Sequence, residues 1–165
     1  MIFGDYNPSG KLTVTFYKDD SQLPPFDDYR MANRTYRYFH GEPLYPFGYG
    51  MSYTTYEYGK PSYHDGKVSV CITNTGEVDG TEIVQVYLRR PSDVGGPLKS
   101  LRGYARVSLK AGETREVEID FPRERFETWD ELTNTMRIMP GSYEIKVGPS
   151  SEESTLHSIN VTLAP

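Results

Sequence analysis

The sequence contains a single cysteine, Cys71, in 165 residues. One thiol excludes a disulfide within the chain and a zinc site built on cysteines, and we expect Cys71 to pack as a small hydrophobic residue. The three histidines, His40, His64 and His157, stand apart from one another, outside any nucleophile motif or metal-ligand spacing. The composition therefore predicts neither a cofactor nor a metal.

Long apolar runs and a basic excess are also missing. No apolar run approaches the roughly 18 residues that cross a bilayer, and residues 1–6 lack the basic and apolar regions of a signal peptide. The net charge is -5, and the basic residues form no cluster that could bind a polyanion such as a nucleic acid. We expect no membrane and no nucleic-acid partner, while a periplasmic or extracellular parent protein stays open.

The length allows one ordinary domain with an extension, and it is too short for a (β/α)₈ barrel of roughly 250 residues. Composition changes near residues 59–66, which predicts a connecting segment over 1–60 and a folded domain over 61–165. Nine of the 14 tyrosines lie between Tyr29 and Tyr63, among prolines that disfavour long helices and central strands. In the connecting segment, only Lys11 to Tyr17 alternates as a strand does.

From Lys67 onward the apolar residues alternate with polar ones in a period of two. Seven short strands are predicted, with inward rows such as Val68, Val70 and Ile72, and Ile159, Val161 and Leu163. The strands at 101–109 and 117–121, joined by a turn at 111–113, are expected to form a hairpin. The prediction is an all-β fold, an antiparallel immunoglobulin-like or fibronectin type III-like β-sandwich after an irregular aromatic-rich segment.

Three motifs follow one another along the chain: GDYNPSGKLTVTF at 4–16, RTYRYF at 34–39 and LYPFGYGMSYT at 44–54. In this order they resemble segments of family 3 glycoside hydrolases of the β-glucosidase and β-xylosidase type. The first motif is similar to the end of the second, α/β sandwich domain in that family, and the other two resemble the segment that joins this domain to a fibronectin type III-like domain. Lys11, Thr13 and Met51 depart from the usual arginine, proline and leucine.

The resemblance implies a non-catalytic C-terminal module of an enzyme that hydrolyses terminal β-linked xylose or glucose. In the family, the aspartate nucleophile and the glutamate acid/base lie upstream of every segment matched here, so no catalytic residue is carried over. The partners implied are the barrel and α/β domains of the parent enzyme, and Met1 is expected to be an internal boundary. The acidic pairs at 19–20, 27–28 and 152–153 are interpreted as solvated surface.

The aromatic residues of the connecting segment are the candidate contact site, because large apolar patches mark partner surfaces. We expect interdomain or self-association contacts from Tyr36, Tyr38, Phe39, Tyr45, Phe47, Tyr49 and Tyr53. Exposed aromatic rings also stack on sugars, so a free-standing module that binds plant cell-wall oligosaccharides is a second hypothesis. A homo-oligomer formed through the segment, and a chain that is itself a hydrolase, are the remaining alternatives. Trp129 and Phe126 are expected to pack in the core or at the edge of the sandwich rather than to form a ligand platform.

Overall fold

The computed structural model of the protein describes residues 3–164, so the expectation about Met1 lies outside the described part. The regular secondary structure of the described residues is mostly β, and every strand pair is antiparallel. The ten strands are β1 (Tyr56–Tyr58), β2 (Ser62–His64), β3 (Lys67–Asn74), β4 (Gly80–Arg89), β5 (Ser100–Leu109), β6 (Thr114–Asp120), β7 (Thr128–Asp130), β8 (Thr135–Arg137), β9 (Gly141–Gly148) and β10 (His157–Leu163). A four-residue helix, α1 (Thr35–Tyr38), and three 3₁₀ turns (Asp20–Gln22, Arg123–Phe126 and Glu153–Thr155) complete the elements.

Two four-stranded sheets pack face to face. In the first, β1 and β2 pair with the two halves of one edge of β3, and β6 pairs with the other edge. The second runs in the order β10-β9-β4-β5. Between the sheets lies one apolar core, which confirms the predicted sandwich. Its fully buried side chains include Val68, Ile72, Val84, Val86, Phe121, Ile145 and Val147.

The period of two is confirmed where one face of a strand meets solvent. Along β3, Val68, Val70 and Ile72 are buried and the residues between them are less so. β10 follows the same rule more weakly, with alternate residues half-buried. Alternation along the sequence therefore located the faces of these strands correctly.

The predicted hairpin between β5 and β6 is wrong. β5 pairs with β4 and β6 pairs with β3, so residues 111–113 cross from one sheet to the other. The amide of Gly112 donates to the carbonyl of Asn74, and the amide of Asn74 donates to the carbonyl of Glu113, which holds this crossing against the end of β3. A crossing and a hairpin send the same side chains into the core, so the apolar pattern fits both.

The strand predicted from Lys11 to Tyr17 is also wrong. One isolated bridge joins Phe16 to Tyr45, and the amide of Leu12 donates to the carbonyl of Tyr49. These scattered bonds do not form a ladder. Val14 and Phe16 face solvent instead of a core, at 54% and 46% exposure.

Among the expectations about single residues, that for Cys71 is wrong and that for Phe126 is confirmed. Cys71 is exposed on the outer face of β3 rather than packed, since it points away from the core that Val70 and Ile72 enter. Phe126 is buried in the core, but Trp129 is 54% exposed on the small ribbon that β7 and β8 form with each other. Among the described residues, no helix is long and apolar enough to cross a membrane.

Candidate interdomain surface and cleft

Residues 3–55, which precede β1 and are called the tail below, lie against the outer face of the second sheet. Tyr36 of helix α1 stacks on Phe47, with ring centroids 4.3 Å apart, and meets Tyr87 of β4 edge-on at 5.9 Å. The amide of Leu101 donates to the hydroxyl of Tyr36, and the amide of Leu98 donates to the carbonyl of Arg37. Tyr87, on the face of the sheet opposite the core, is consequently fully buried.

Gly48 is the closest point of this contact. Its φ is 80°, and a β-carbon added there would stand 2.1 Å from Oε1 of Gln85. Nε2 of Gln85 donates to the carbonyls of Gly48 and Pro149, at 3.1 and 2.5 Å, while Oε1 accepts from the hydroxyl of Tyr87 at 2.5 Å. Only glycine permits this approach, because it has no β-carbon and tolerates positive φ.

A pair of buried lysines fixes the loop on which the tail rests. Lys99 and Lys146, whose side chains are 9% and 7% exposed, both donate to the carboxylate of Glu153. Burial alone would raise the pKa of Glu153, but the hydrogen bonds from the two ammonium groups outweigh it and hold the pKa below its ordinary value of 4.5. In the same loop, the amide of Ser151 donates to the carbonyl of Phe47.

A second group of polar bonds joins the tail to the sandwich near the start of β4. Nζ of Lys11 donates to Oε1 of Glu82 at 2.9 Å, and the hydroxyl of Tyr58 donates to the same oxygen at 3.0 Å. Burial and the neighbouring Glu82 carboxylate raise the pKa of Tyr58 far above its ordinary value. Asn7 of the tail donates to the carbonyl of Asp79 as well. The tail is thus held to the sandwich by polar bonds near the start of β4 and at Gln85 in its middle.

The seven residues predicted as contacts divide into three groups. Tyr36 and Phe47 pack towards the sandwich, and Phe39 is buried, with its ring edge-on to Tyr17 at 4.9 Å. Tyr38, beside the guanidinium of Arg37, and Tyr49, 5.0 Å from the ring of Tyr45, are half-buried. Tyr45 and Tyr53 keep 42% and 52% of their surface exposed.

The exposed apolar surface is concentrated on the tail. Of the 18 large hydrophobic residues that are exposed in the described part of the chain, 12 lie between Phe3 and Tyr53. The most exposed are Phe3, Phe26, Tyr29 and Met51, at 90%, 97%, 86% and 73%. Apolar surface gathered on one segment usually marks a site of contact with another protein surface.

Sequence reasoning missed both the sheet side of this contact and its most exposed residues. No motif predicted that Gln85, Tyr87 or Lys99 would contact the connecting segment. The mostly apolar run at 83–88 was nevertheless a usable signal, since a strand buried on both faces loses its alternation. Phe26 and Tyr29 lie in a proline-rich stretch without apolar periodicity, so its pattern does not predict which side chains are buried. Their exposure could not be found from local sequence.

At least one member of each acidic pair has a bonding partner on the protein itself. The carboxylate of Asp19 accepts from the amide and hydroxyl of Ser21, and that of Asp28 pairs with Arg30. Bonding with Arg30 lowers the pKa of Asp28. All three histidines are exposed, and residues 3–164 contain no group of acidic, histidine and cysteine side chains arranged to hold a metal.

The fold and this contact define a β-sandwich module that carries a docked, outwardly apolar segment. Family models match both parts: residues 1–53 match the glycosyl hydrolase family 3 C-terminal domain, and residues 82–151 match the fibronectin type III-like domain. The chain thus corresponds to the C-terminal part of the family 3 glycoside hydrolases and contains their fibronectin type III-like domain.

Similar proteins are much longer than this chain. It is 50% identical over 169 residues to a xylan 1,4-beta-xylosidase of Xylanibacter ruminicola and 38% identical to a beta-xylosidase of Formosa agariphila. These matches cover 99% of the chain but only 20% and 24% of the relatives. A beta-glucosidase structure from Streptomyces venezuelae, 33% identical, superimposes with a TM-score of 0.83 over 99% of the chain and 24% of its own length. The chain therefore spans about a fifth to a quarter of the relatives it matches.

Proposed function

We propose that this module braces the catalytic domains of a longer family 3 enzyme that hydrolyses terminal β-linked xylose or glucose. The division at 1–60 and 61–165 is part of the proposal: the first segment makes the contact and the second provides a rigid base. The 50% identity to a protein named as a xylosidase supports xylose as the sugar.

The concentration of exposed apolar side chains within residues 3–53 carries the proposal. The same residues match the family's C-terminal domain model. Side chains such as Val14 and Phe16 resemble a strand that lacks its neighbours, and covering them would remove apolar surface from water at about 25 cal/mol per Å². Because Tyr36 and Phe47 already face the sandwich, we assign the outward contact to Tyr45, Tyr53 and the more exposed Phe26, Tyr29 and Met51.

A reconstitution experiment tests the proposal. The Xylanibacter relative is truncated before the matched region and mixed with this chain, and binding is measured by titration calorimetry while xylosidase activity is followed. We expect a complex whose activity exceeds that of the truncated enzyme. Phe26→Ser should weaken it about tenfold or more, because fully burying such a side chain contributes about 1.5–3 kcal/mol.

Leu132→Ser is the matched control, because Leu132 is also 97% exposed but lies in the β7–β8 ribbon outside the tail. The control should bind as the unaltered chain does. An absence of complex, or an equal loss in both variants, would contradict the assignment of the contact to the tail.

The same exposed surface favours self-association when the catalytic domains are absent. Sedimentation should then show species heavier than 18.8 kDa that dissociate on dilution, and Phe26→Ser should shift the equilibrium towards monomer. A chain that remains monomeric at every concentration would argue against this second role.

A further inference from the structure

Both sheets of the sandwich end in strands with a free backbone edge, and most of these edges are protected against pairing. β1 and β2 have only three residues each. β5 carries Arg102 and Arg106, and β6 carries charged residues of both signs, such as Arg115 and Glu118. Short strands and charged side chains are two devices by which proteins keep an exposed edge from pairing with another chain.

β10 is the exception. It has seven residues, His157–Leu163, and pairs with β9 in one continuous register along its whole length. It contains no proline, and His157 is its only ionisable side chain. Within residues 3–164, no strand other than β9 pairs with it. The outer backbone edge of β10 is therefore open to strand addition.

The side chains that β10 turns towards the core are incompletely covered. Ile159 and Val161 pack against the core but remain half-buried, whereas Ile145 and Tyr143, which lie opposite them on β9, are fully buried. The core thus ends at β10 with apolar surface still in contact with water. A strand added beyond β10 would cover that surface.

We propose that β10 pairs antiparallel with β10 of a second copy of this chain, so that their second sheets form one continuous sheet. Directly opposite residues of an antiparallel pair share a face, and a two-fold axis at Asn160 is the arrangement that pairs all seven residues.

The strand is its own complement in this register. Ile159 lies opposite the partner's Val161 on the core side, and Ser158 lies opposite the partner's Thr162 on the outer side. No two charged side chains meet, which makes a second copy the fitting occupant of this edge. The contact is separate from the tail and does not depend on the bracing role.

Charge substitution at the two-fold axis tests the proposal. Asn160 is exposed, and Glu144 beside it on β9 is already paired with Arg89 and Lys146. Asn160→Lys and Asn160→Asp are made in the Phe26→Ser chain, where association through the tail is weakened, and dimerisation is measured by sedimentation equilibrium up to about 1 mM. Each variant alone should dimerise about fivefold more weakly than the Phe26→Ser chain, because like charges then lie directly opposite each other.

An equimolar mixture of the two variants should regain the dimer, because a lysine then faces an aspartate. Recovery on mixing also shows that the single variants are folded. Ser142→Lys is the matched control: Ser142 is exposed on the same face, but it lies on β9, one strand farther from the axis, and its charge should leave the dimer unchanged.

Absence of a dimer of the Phe26→Ser chain at about 1 mM would overturn the proposal. Equal dimerisation of all variants, or no recovery in the mixture, would assign the association to another surface and overturn it as well. None of these outcomes depends on the catalytic domains, so the result is independent of the reconstitution experiment.

Discussion

Replacing Gly48 by alanine tests the contact between the tail and the second sheet most directly. The new methyl group would stand 2.1 Å from Oε1 and 2.7 Å from Nε2 of Gln85. Gln85 cannot turn away freely, because it bonds the carbonyls of Gly48 and Pro149 and the hydroxyl of Tyr87. The tail must therefore move off the sheet or break those bonds.

The cost has two parts. A residue with a β-carbon at a φ of 80° loses about 1–2 kcal/mol relative to glycine. Losing one or two buried hydrogen bonds of Gln85 adds about 1 kcal/mol each. We expect Gly48→Ala to weaken tail docking by about 2–4 kcal/mol in total.

Amide hydrogen exchange measures docking separately from global unfolding. The amides of Ser151 and Leu98 belong to the sandwich but donate to tail carbonyls, so undocking exposes them. Their exchange should accelerate by roughly 30- to 700-fold, at tenfold per 1.4 kcal/mol. The amide of Asn74, bonded within the sandwich, should change far less.

Gly112→Ala provides the control, because Gly112 has a φ of 73° but open space where the methyl group would lie. It should reduce the free energy of unfolding by about 1–2 kcal/mol without selectively accelerating Ser151. If Ser151 in Gly48→Ala exchanges within a few-fold of the unaltered protein, the close approach to Gln85 does not hold the tail.

Two further predictions concern the buried polar groups behind this contact. Tyr87→Phe should lower the free energy of unfolding by about 1–3 kcal/mol in urea titrations, because Oε1 of Gln85 would lose a buried donor; Tyr104→Phe, at a position 70% exposed, should have almost no effect. Since the folded pKa of Glu153 is lowered, its stabilising effect should be complete above about pH 4.5 and lost as the pH falls through the folded value. The Ser151 amide should lose protection against exchange over the same pH range. Glu153→Gln should remove this pH dependence of the protection. An unchanged pH profile of protection in the variant would refute the role of the carboxylate.

The sequence alone determined the faces of the strands. Val68, Val70 and Ile72 enter the core because successive side chains of a strand point to opposite sides, a local rule that needs no knowledge of the partner. The motifs at 4–16 and 34–54 likewise identified the family from short stretches, whose match the family models confirm.

The tertiary structure decided which strands pair and what covers the sheet. β5 and β6 bury the same residues whether they form a hairpin or cross between sheets, so only packing against β4 and β3 distinguishes the two. The buried Gln85 and the shared Glu153 carboxylate each depend on residues from distant parts of the chain. Alternation fixes the direction of a side chain, but the partner that it meets is set by which distant surfaces the folded chain brings together.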